Sequence, residues 1–299
     1  MSDLGFSGVG KIGHPMCKQF LDAGHSVTAF DLDAAALARM VEAGAKGASS
    51  SAEVGAASEV VFTCLPSPAS VVDAVAGPGG ILEGARAGTI VVDLSTNAPE
   101  TIRELAARAG ENHVALLDAP VAGGVPKAIE GTLTLMVGGE AEDFALVEPL
   151  LRCLGTQIFH LGRHGAGCAA KLANNLMATC NMCAAIEVFM MMKRWGIPPE
   201  RFLETVEAGS GQSASLERFR RKILYGDFSA EFTVDMAYKD LSLALKLGEE
   251  TGVPLAFGGL VKLLMQTARA SGYGQEDACA LARVLEDVMG DDIRASAGG

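Results

Sequence analysis

A chain of 299 residues, 49% hydrophobic and 20% charged, is long enough for two domains and apolar enough to give each a core, which excludes wholesale disorder. A net charge of −12 argues against nucleic acid as a partner, because that binding needs a clustered Lys/Arg surface, but it leaves room for a local pocket that takes a small anion. The seven cysteines are odd in number and scattered, which fits a cytoplasmic chain and not a disulfide framework.

Apolar, strand-like residues begin at Leu4 with no basic segment ahead of them, so no secretory leader is expected. The first half alternates β-branched runs with alanine-rich amphipathic stretches. Strands are predicted over 4–9, 26–31, 60–64, 89–93, 114–118, 133–137 and 157–161. Helices are predicted over 15–23, 34–43, 70–75, 99–109 and 142–153. Such alternation implies an α/β domain with a mostly parallel sheet covered on both faces. The stretch 114–137 breaks the rhythm, because two strands there flank a glycine-rich segment, 122–131, that reads as a loop.

Past Gly167 the strand signals stop. A helical pattern runs from about Cys168 to Trp195 and ends at Gly196, with Pro198 beyond. About 28 helical residues span roughly 42 Å, enough to leave one domain and found another. The predicted organisation is an α/β domain over 1–164 and an all-α domain over 165–290, joined by the long helix 165–195, with a flexible tail over 291–299. The apolar run 176–192 is interrupted by Asn181 and Glu187, and a bilayer needs about 20 apolar residues, so it reads as a buried helix with no membrane partner. Met177, Ile186, Met190 and Met191 nonetheless supply more apolar surface than a small helical domain can cover, which predicts a homodimer or homotetramer built through the helical half. Cys180 and Cys183 form a C-x-x-C pair in mid-helix with no second pair, which reads as core packing. His160 and His164 are the one close histidine pair, and no metal site is predicted.

The first chemical signal is Gly8-Val9-Gly10-Lys11-Ile12-Gly13, which follows a strand pattern and opens a helical one. In that context Gly8 permits a tight turn, Gly10 lets backbone approach a pyrophosphate, and Gly13 lets helix and strand pack closely. Asp31 ends the second strand, about twenty positions on, where a carboxylate accepts from the adenosine ribose and repels a 2′-phosphate. Neither Leu32 nor Asp33 supplies the arginine of an NADP site, so NAD is the expected cofactor of a Rossmann-type domain. Cys64-Leu65-Pro66 and the segment Asp93 to Pro99 close two further strands, and each reads equally well as site lining or as a plain turn, with Asn97 an N-cap. The segment Asp118-Ala119-Pro120-Val121-Ala122-Gly123-Gly124 exposes paired glycine amides that can hold a carboxylate, or merely turn sharply. Lys171 and Asn175 lie one turn apart on the long helix. A partly desolvated lysine near the positive end of a helix dipole can exchange protons near neutral pH, while a solvated lysine is the plainer account.

Taken in order, the glycine loop with His14-Pro15-Met16, then Asp93-Leu94-Ser95-Thr96, the Asp118–Gly124 segment, Lys171-Leu172-Ala173-Asn174-Asn175 and Lys239-Asp240-Leu241 resemble the β-hydroxyacid dehydrogenase family over nearly the whole chain. The resemblance implies an NAD-dependent hydride transfer between the cofactor and a small anionic hydroxy acid or its semialdehyde. It further implies that Gly8 through Gly13 and Asp31 bind adenosine and pyrophosphate, and that Leu65, Pro66 and Thr96 lie along the nicotinamide half. Lys171 would be the general acid/base and Asn175 would orient substrate. Gly123 and Gly124 would hold the carboxylate, and Lys239 would contact cofactor or substrate. The chain departs from the family at Ala122, where a serine is frequent and a hydroxyl donor is lost, and at Ala214, where some relatives carry an aromatic. Imine-reducing relatives usually replace the lysine, and phosphogluconate dehydrogenases have a longer second domain. A catalytically silent dinucleotide-binding protein would need neither Lys171 nor Asn175.

Overall fold

The computed structural model describes residues 2–295. The chain forms two compact units, one ending at Lys171 and the other beginning at Leu172. The first unit opens with β1 (Asp3–Ser7), α1 (Gly13–Asp22), β2 (Ser26–Phe30), α2 (Ala34–Glu42), β3 (Lys46–Gly47) and α3 (Ser51–Ala56). It continues with β4 (Val60–Thr63), α4 (Pro68–Ala76), α5 (Ile81–Gly84), β5 (Ile90–Asp93), α6 (Pro99–Glu111) and β6 (Ala115–Asp118). These six strands form one parallel sheet in the order β3-β2-β1-β4-β5-β6.

The reason for a doubly covered sheet is visible residue by residue. Along β4 and β5, Val60, Phe62, Ile90 and Val92 point into one core, which contains the stacked rings of Phe20 and Phe62. Val61 and Val91 point into the other, with Ile102 and Leu105 of α6. Alternate residues of a strand face opposite sides, and both sides here are apolar, so helices must cover both.

The segment 121–160 forms β7 (Val121–Ala122), α7 (Gly124–Glu130), β8 (Leu133–Val137), α8 (Ala141–Leu154) and β9 (Gly155–His160). Its strands make a separate three-stranded sheet, β7-β8-β9, with β7 antiparallel to β8 and β8 parallel to β9. Two expectations change here. The glycine-rich segment read as a loop contains the helix α7, bounded by Gly123 and by Gly131 at φ 65°. Asn97 is not an N-cap: α6 is capped by Ala98 with no side-chain bond, and Asn97 is buried in the network described below.

The long helix is α9 (Ala166–Trp195). The unit boundary falls inside it and not at 164/165, because its first turn belongs to the first unit, where Cys168 is buried beside Val91 and Ile102. The second unit is the rest of α9 with α10 (Pro199–Glu207), α11 (Ser215–Arg221), α12 (Val234–Thr251), α13 (Ala256–Ala270) and α14 (Leu281–Met289). Its core centres on Phe189, which meets Phe202 edge to face and Phe219 at a tilt. Asp277, fully buried, braces the loop before α12 by accepting from the amides of Glu231 and Phe232 and from Arg218. Burial alone would raise its carboxyl, but Arg218 and the Cys279 amide hold it below the usual range.

The expected flexible tail is corrected over 291–295. Ile293 is fully buried, its amide donates to Glu286, and Lys193 pairs with Asp291 and Asp292. Residues 296–299 lie outside the described residues. The expectation of a buried helix over 176–192 holds for one face only: Met182, Cys183, Ile186, Phe189 and Met190 are buried, whereas Met177, Val188 and Met191 are exposed. Of the four side chains expected to supply surplus apolar surface, Ile186 and Met190 therefore belong to the core instead. By length and composition α9 could cross a membrane. Cys180 and Cys183 are buried free thiols, and burial pushes Cys183 up to about 12, as core packing implies.

Candidate active site

Parallel strand register aligns Ser7 with Thr63, Thr63 with Asp93 and Asp93 with Asp118. The loops that leave these four positions start side by side at the carboxyl edge of the sheet. They carry Gly8 to Gly13, Leu65 and Pro66, Thr96, and Ala122 to Gly124. Strand order reverses between β1 and β4, and ligands of open α/β sheets bind in the crevice at that point.

Each glycine of the first loop has its own reason. Gly8 has φ 95°, and a Cβ on it would collide with the Cys64 carbonyl and approach Leu65 to 2.8 Å. A Cβ on Gly13 would collide with the Gly8 carbonyl. Around Gly10 nothing lies within 4 Å of that position, so the space where a pyrophosphate would approach is open. A dinucleotide therefore fits this loop. Val9 is fully buried, and its amide is taken by Asp31 Oδ2 at 2.8 Å, so Asp31 ties the loop to the end of β2. Its other oxygen accepts from the Asp33 amide at 2.8 Å. Ile12 is half-buried, Lys11 is exposed, and Leu32 beyond Asp31 is 94% exposed.

The next two loops are joined by buried polar groups that sequence reasoning gave no role. Asp93, with no exposed surface, accepts from Thr63 Oγ1 at 2.8 Å, from the Ser95 amide at 3.1 Å and from Asn97 Nδ2 at 3.2 Å. Ser95 Oγ in turn accepts from the Leu65 amide at 2.8 Å. One carboxylate thus sets the backbone on which Leu65, Pro66 and Thr96 sit. Burial pushes the Asp93 carboxyl up, against the pull of Ser95, Thr63 and Asn97. The signal for this network is Asp93 followed by Ser95, Thr96 and Asn97, which a turn explains equally well.

After β6, Gly123 at φ 129° and Gly124 at φ 70° turn the chain into α7, in conformations an L side chain rarely adopts. A Cβ on Gly123 would also press on the Lys127 side chain at 2.7 Å. Lys171, on the second turn of α9, is 9% exposed and belongs to the first unit together with all of these loops. Asn175, Lys239 and Asp240 belong to the second. There Asn175 Nδ2 donates to Asp240 Oδ2 at 2.7 Å, and Lys239 Nζ lies 3.2 Å from Asp240 Oδ1. Asp240 was legible only as part of a motif, with no role attached to it.

The crevice at the strand reversal is where dinucleotide-dependent oxidoreductases bind their cofactor, and comparison with known proteins agrees. Residues 3–162 match the model for the NAD-binding domain of 6-phosphogluconate dehydrogenase. Residues 165–285 match that for the NAD-binding region of NADP-dependent 3-hydroxyisobutyrate dehydrogenase. The 2-(hydroxymethyl)glutarate dehydrogenase of Eubacterium barkeri is 38% identical over 291 residues, covering 97% of each chain. A 3-hydroxyisobutyrate dehydrogenase of Pseudomonas aeruginosa is 36% identical over 271 residues, 88% of this chain and 91% of that one. Among solved structures, the 3-hydroxyisobutyrate dehydrogenase of Mycobacterium tuberculosis, solved with L-serine, superposes with a TM-score of 0.86 at 28% identity, covering 95% of this chain and 99% of that one. The chain belongs to the β-hydroxyacid dehydrogenase family, NAD(P)-dependent oxidoreductases of small hydroxy acids and their semialdehydes.

Proposed function

We propose that the chain oxidises the primary alcohol of a small β-hydroxy acid reversibly, with NAD in preference to NADP and with Lys171 as the acid/base. The observation that carries this reading is the burial of Lys171 in the same unit as the glycine loop, on a helix whose first turn abuts the ends of β5 and β6. The molecules named for the three relatives share one skeleton: a hydroxymethyl group on the carbon that bears a carboxylate. They differ in the third substituent, which is methyl, amino or carboxyethyl. Gly123 and Gly124 suit the shared carboxylate, and Ala122 leaves that subsite one hydroxyl donor short of many relatives.

Bound NAD supplies the acceptor for the hydride that leaves the carbinol carbon. Neutral Lys171 takes the hydroxyl proton during oxidation, and as ammonium it returns that proton to the oxygen during reduction. A cation at this position also steadies negative charge developing on the oxygen. Asn175, fixed by Asp240, orients the substrate, and Lys239 adds positive charge for an anion. The preference for NAD rests on Asp31 and on Asp33, which caps α2 by accepting from the Ala35 amide at 2.9 Å. Two carboxylates and no Lys or Arg occupy residues 31–35, where a 2′-phosphate would have to sit. All seven cysteines are free thiols, which supports a cytoplasmic enzyme.

A second copy of the chain is the partner that α9 suits. Its exposed positions Met177, Asn181, Ala184, Val188, Met191 and Trp195 recur at alternating spacings of four and three, the seam of helix against helix. On α13, Phe257, Leu260 and Leu263 are exposed as well. The test of function is the absorbance of reduced cofactor when purified protein meets NAD with 3-hydroxyisobutyrate, 2-(hydroxymethyl)glutarate or L-serine. Turnover of at least one is expected, and turnover of none, in either direction, removes the reading.

A further inference from the structure

The helix that carries Lys171 starts without a cap of its own. Residues 161–165 read Leu-Gly-Arg-His-Gly and contain no Ser, Thr, Asp or Asn. The first amides of a helix need acceptors from elsewhere, most often such a side chain just ahead of them. Here the acceptor comes from the end of β6. The Gly165 amide donates to Asp118 Oδ1 at 2.8 Å and the Cys168 amide to Asp118 Oδ2 at 2.7 Å. Asp118 has no exposed surface, and its own backbone is bridged to Gly138 in both directions.

Packing around this carboxylate leaves no slack. A Cβ on Gly138 would stand 2.5 Å from Asp118 Oδ1 and 2.9 Å from the Ala166 amide. One on Gly167 would collide with the Met136 carbonyl, and one on Gly165 would stand 2.9 Å from the Pro99 carbonyl. Three glycines therefore let the first turn of α9 seat against the strand ends, and one carboxylate holds it there. Lys171 follows Cys168 by one turn, on the same side of the helix.

We propose that Asp118 is the positioning residue for Lys171: by holding the Gly165 amide just ahead of α9 and the Cys168 amide in its first turn, it fixes where the amine is presented to the substrate oxygen. This rests on the assignment of Lys171 as acid/base. In Asp118→Asn the amide nitrogen cannot accept, so one tether is lost while shape is kept. In Asp118→Ala both are lost. Misplacing a catalytic group by about 1 Å costs on the order of 10²-fold in rate.

The experiment compares wild type, Asp118→Asn and Asp118→Ala as full-length proteins. It measures kcat and KM for 3-hydroxyisobutyrate, NAD affinity by fluorescence titration, and the rate at which trinitrobenzenesulfonate labels Lys171, read by peptide mass spectrometry. The expected result is kcat lower by roughly tenfold in the Asn variant and about a hundredfold in the Ala variant, with KM within about twofold. NAD affinity stays at the wild-type value, and Lys171, shielded in the wild type, is labelled several-fold faster in both variants. Should the Ala variant fail to fold, the nearly isosteric Asn variant decides. A wild-type labelling rate and wild-type kcat, with only the melting temperature lowered, overturn the proposal, and so does NAD affinity lost in step with kcat. If wild type oxidises no hydroxy acid, the acid/base assignment falls, while the labelling rates still decide whether Asp118 governs the placement of the amine.

Discussion

The side-chain amide of Asn175 donates to Asp240 at 2.7 Å, and the ammonium of Lys239 lies 3.2 Å from the other oxygen of the same carboxylate. Asp240 is 3% exposed, so one buried anion orients both polar side chains that this unit brings to the proposed chemistry. The Oδ1 of Asn175 meanwhile faces Asn174 Nδ2 at 3.2 Å. With its amide nitrogen and oxygen both held, Asn175 has little rotational freedom left to lose when substrate binds.

Asp240→Asn tests that relationship. The variant keeps the shape but removes the charge opposite Lys239 and one of the acceptors. A hydrogen bond to a charged group is worth about 1.5–3 kcal/mol, so kcat/KM should fall by about 10- to 100-fold. NAD affinity should hardly change. Steady-state kinetics with a cofactor titration checks this, and unchanged kcat/KM would mean that the carboxylate serves only to join α9 and α12.

Cofactor choice is tested at Asp31. Its carboxylate ties the glycine loop through Val9, so Asp31→Ala should weaken both cofactors, and NAD more than NADP, because it also removes the charge that repels a 2′-phosphate. The ratio of kcat/KM for NAD to that for NADP should therefore narrow from a wild-type value well above one. Equal or better use of NADP by the wild type counts against the reading outright.

Assembly is tested on the outer seam of α9. Met177→Glu combined with Met191→Glu puts charge into a face that a second copy would desolvate, while both side chains are already exposed within one chain. The variant should stay folded by circular dichroism and shift from dimer or tetramer to monomer in light scattering. A wild type that is monomeric at micromolar concentration would show that this face has another use.

Much of this is legible in the sequence, for physical reasons that differ by position. Five of the six strands of the main sheet announce themselves because burial on both faces demands apolar runs rich in β-branched residues, as in Val60–Thr63 and Ile90–Asp93, whereas the two-residue, exposed β3 carries no such pattern. The glycine loop is legible because Gly8 and Gly13 answer backbone demands and not side-chain preferences. By contrast α3 was missed although Ser50 and Glu53 form the pattern of a capping box, with Ser50 accepting from the Glu53 amide. Six residues carry too little periodicity to stand out. Helix α7 hid because the glycines that bound it made the whole segment look like turn. The buried carboxylates of Asp93, Asp118 and Asp240 take their roles from partners 30, 47 to 50, and 65 positions away, and no local pattern encodes such distances.

The acid/base assignment makes the sharpest demand on pH. In oxidation Lys171 must begin as the neutral amine, so the rate should rise with pH as the ammonium gives up its proton. In reduction it must begin protonated, so the reverse rate should fall over the same range. The two limbs then share one apparent pKa, apart from the effect of the differing substrates in the complex. Lys171→Ala should lower kcat on the order of 10²–10⁴-fold in both directions and abolish that limb, while NAD affinity stays near the wild-type value. Asn175→Ala should lower kcat or raise KM and leave the position of the limb unchanged, since it orients substrate without exchanging its proton. A chelator should leave the wild type fully active, because the ammonium performs the charge stabilisation that a metal would otherwise supply. Near-normal turnover by Lys171→Ala, or activity lost on chelation and restored by a divalent metal, would show that the proton is handled elsewhere.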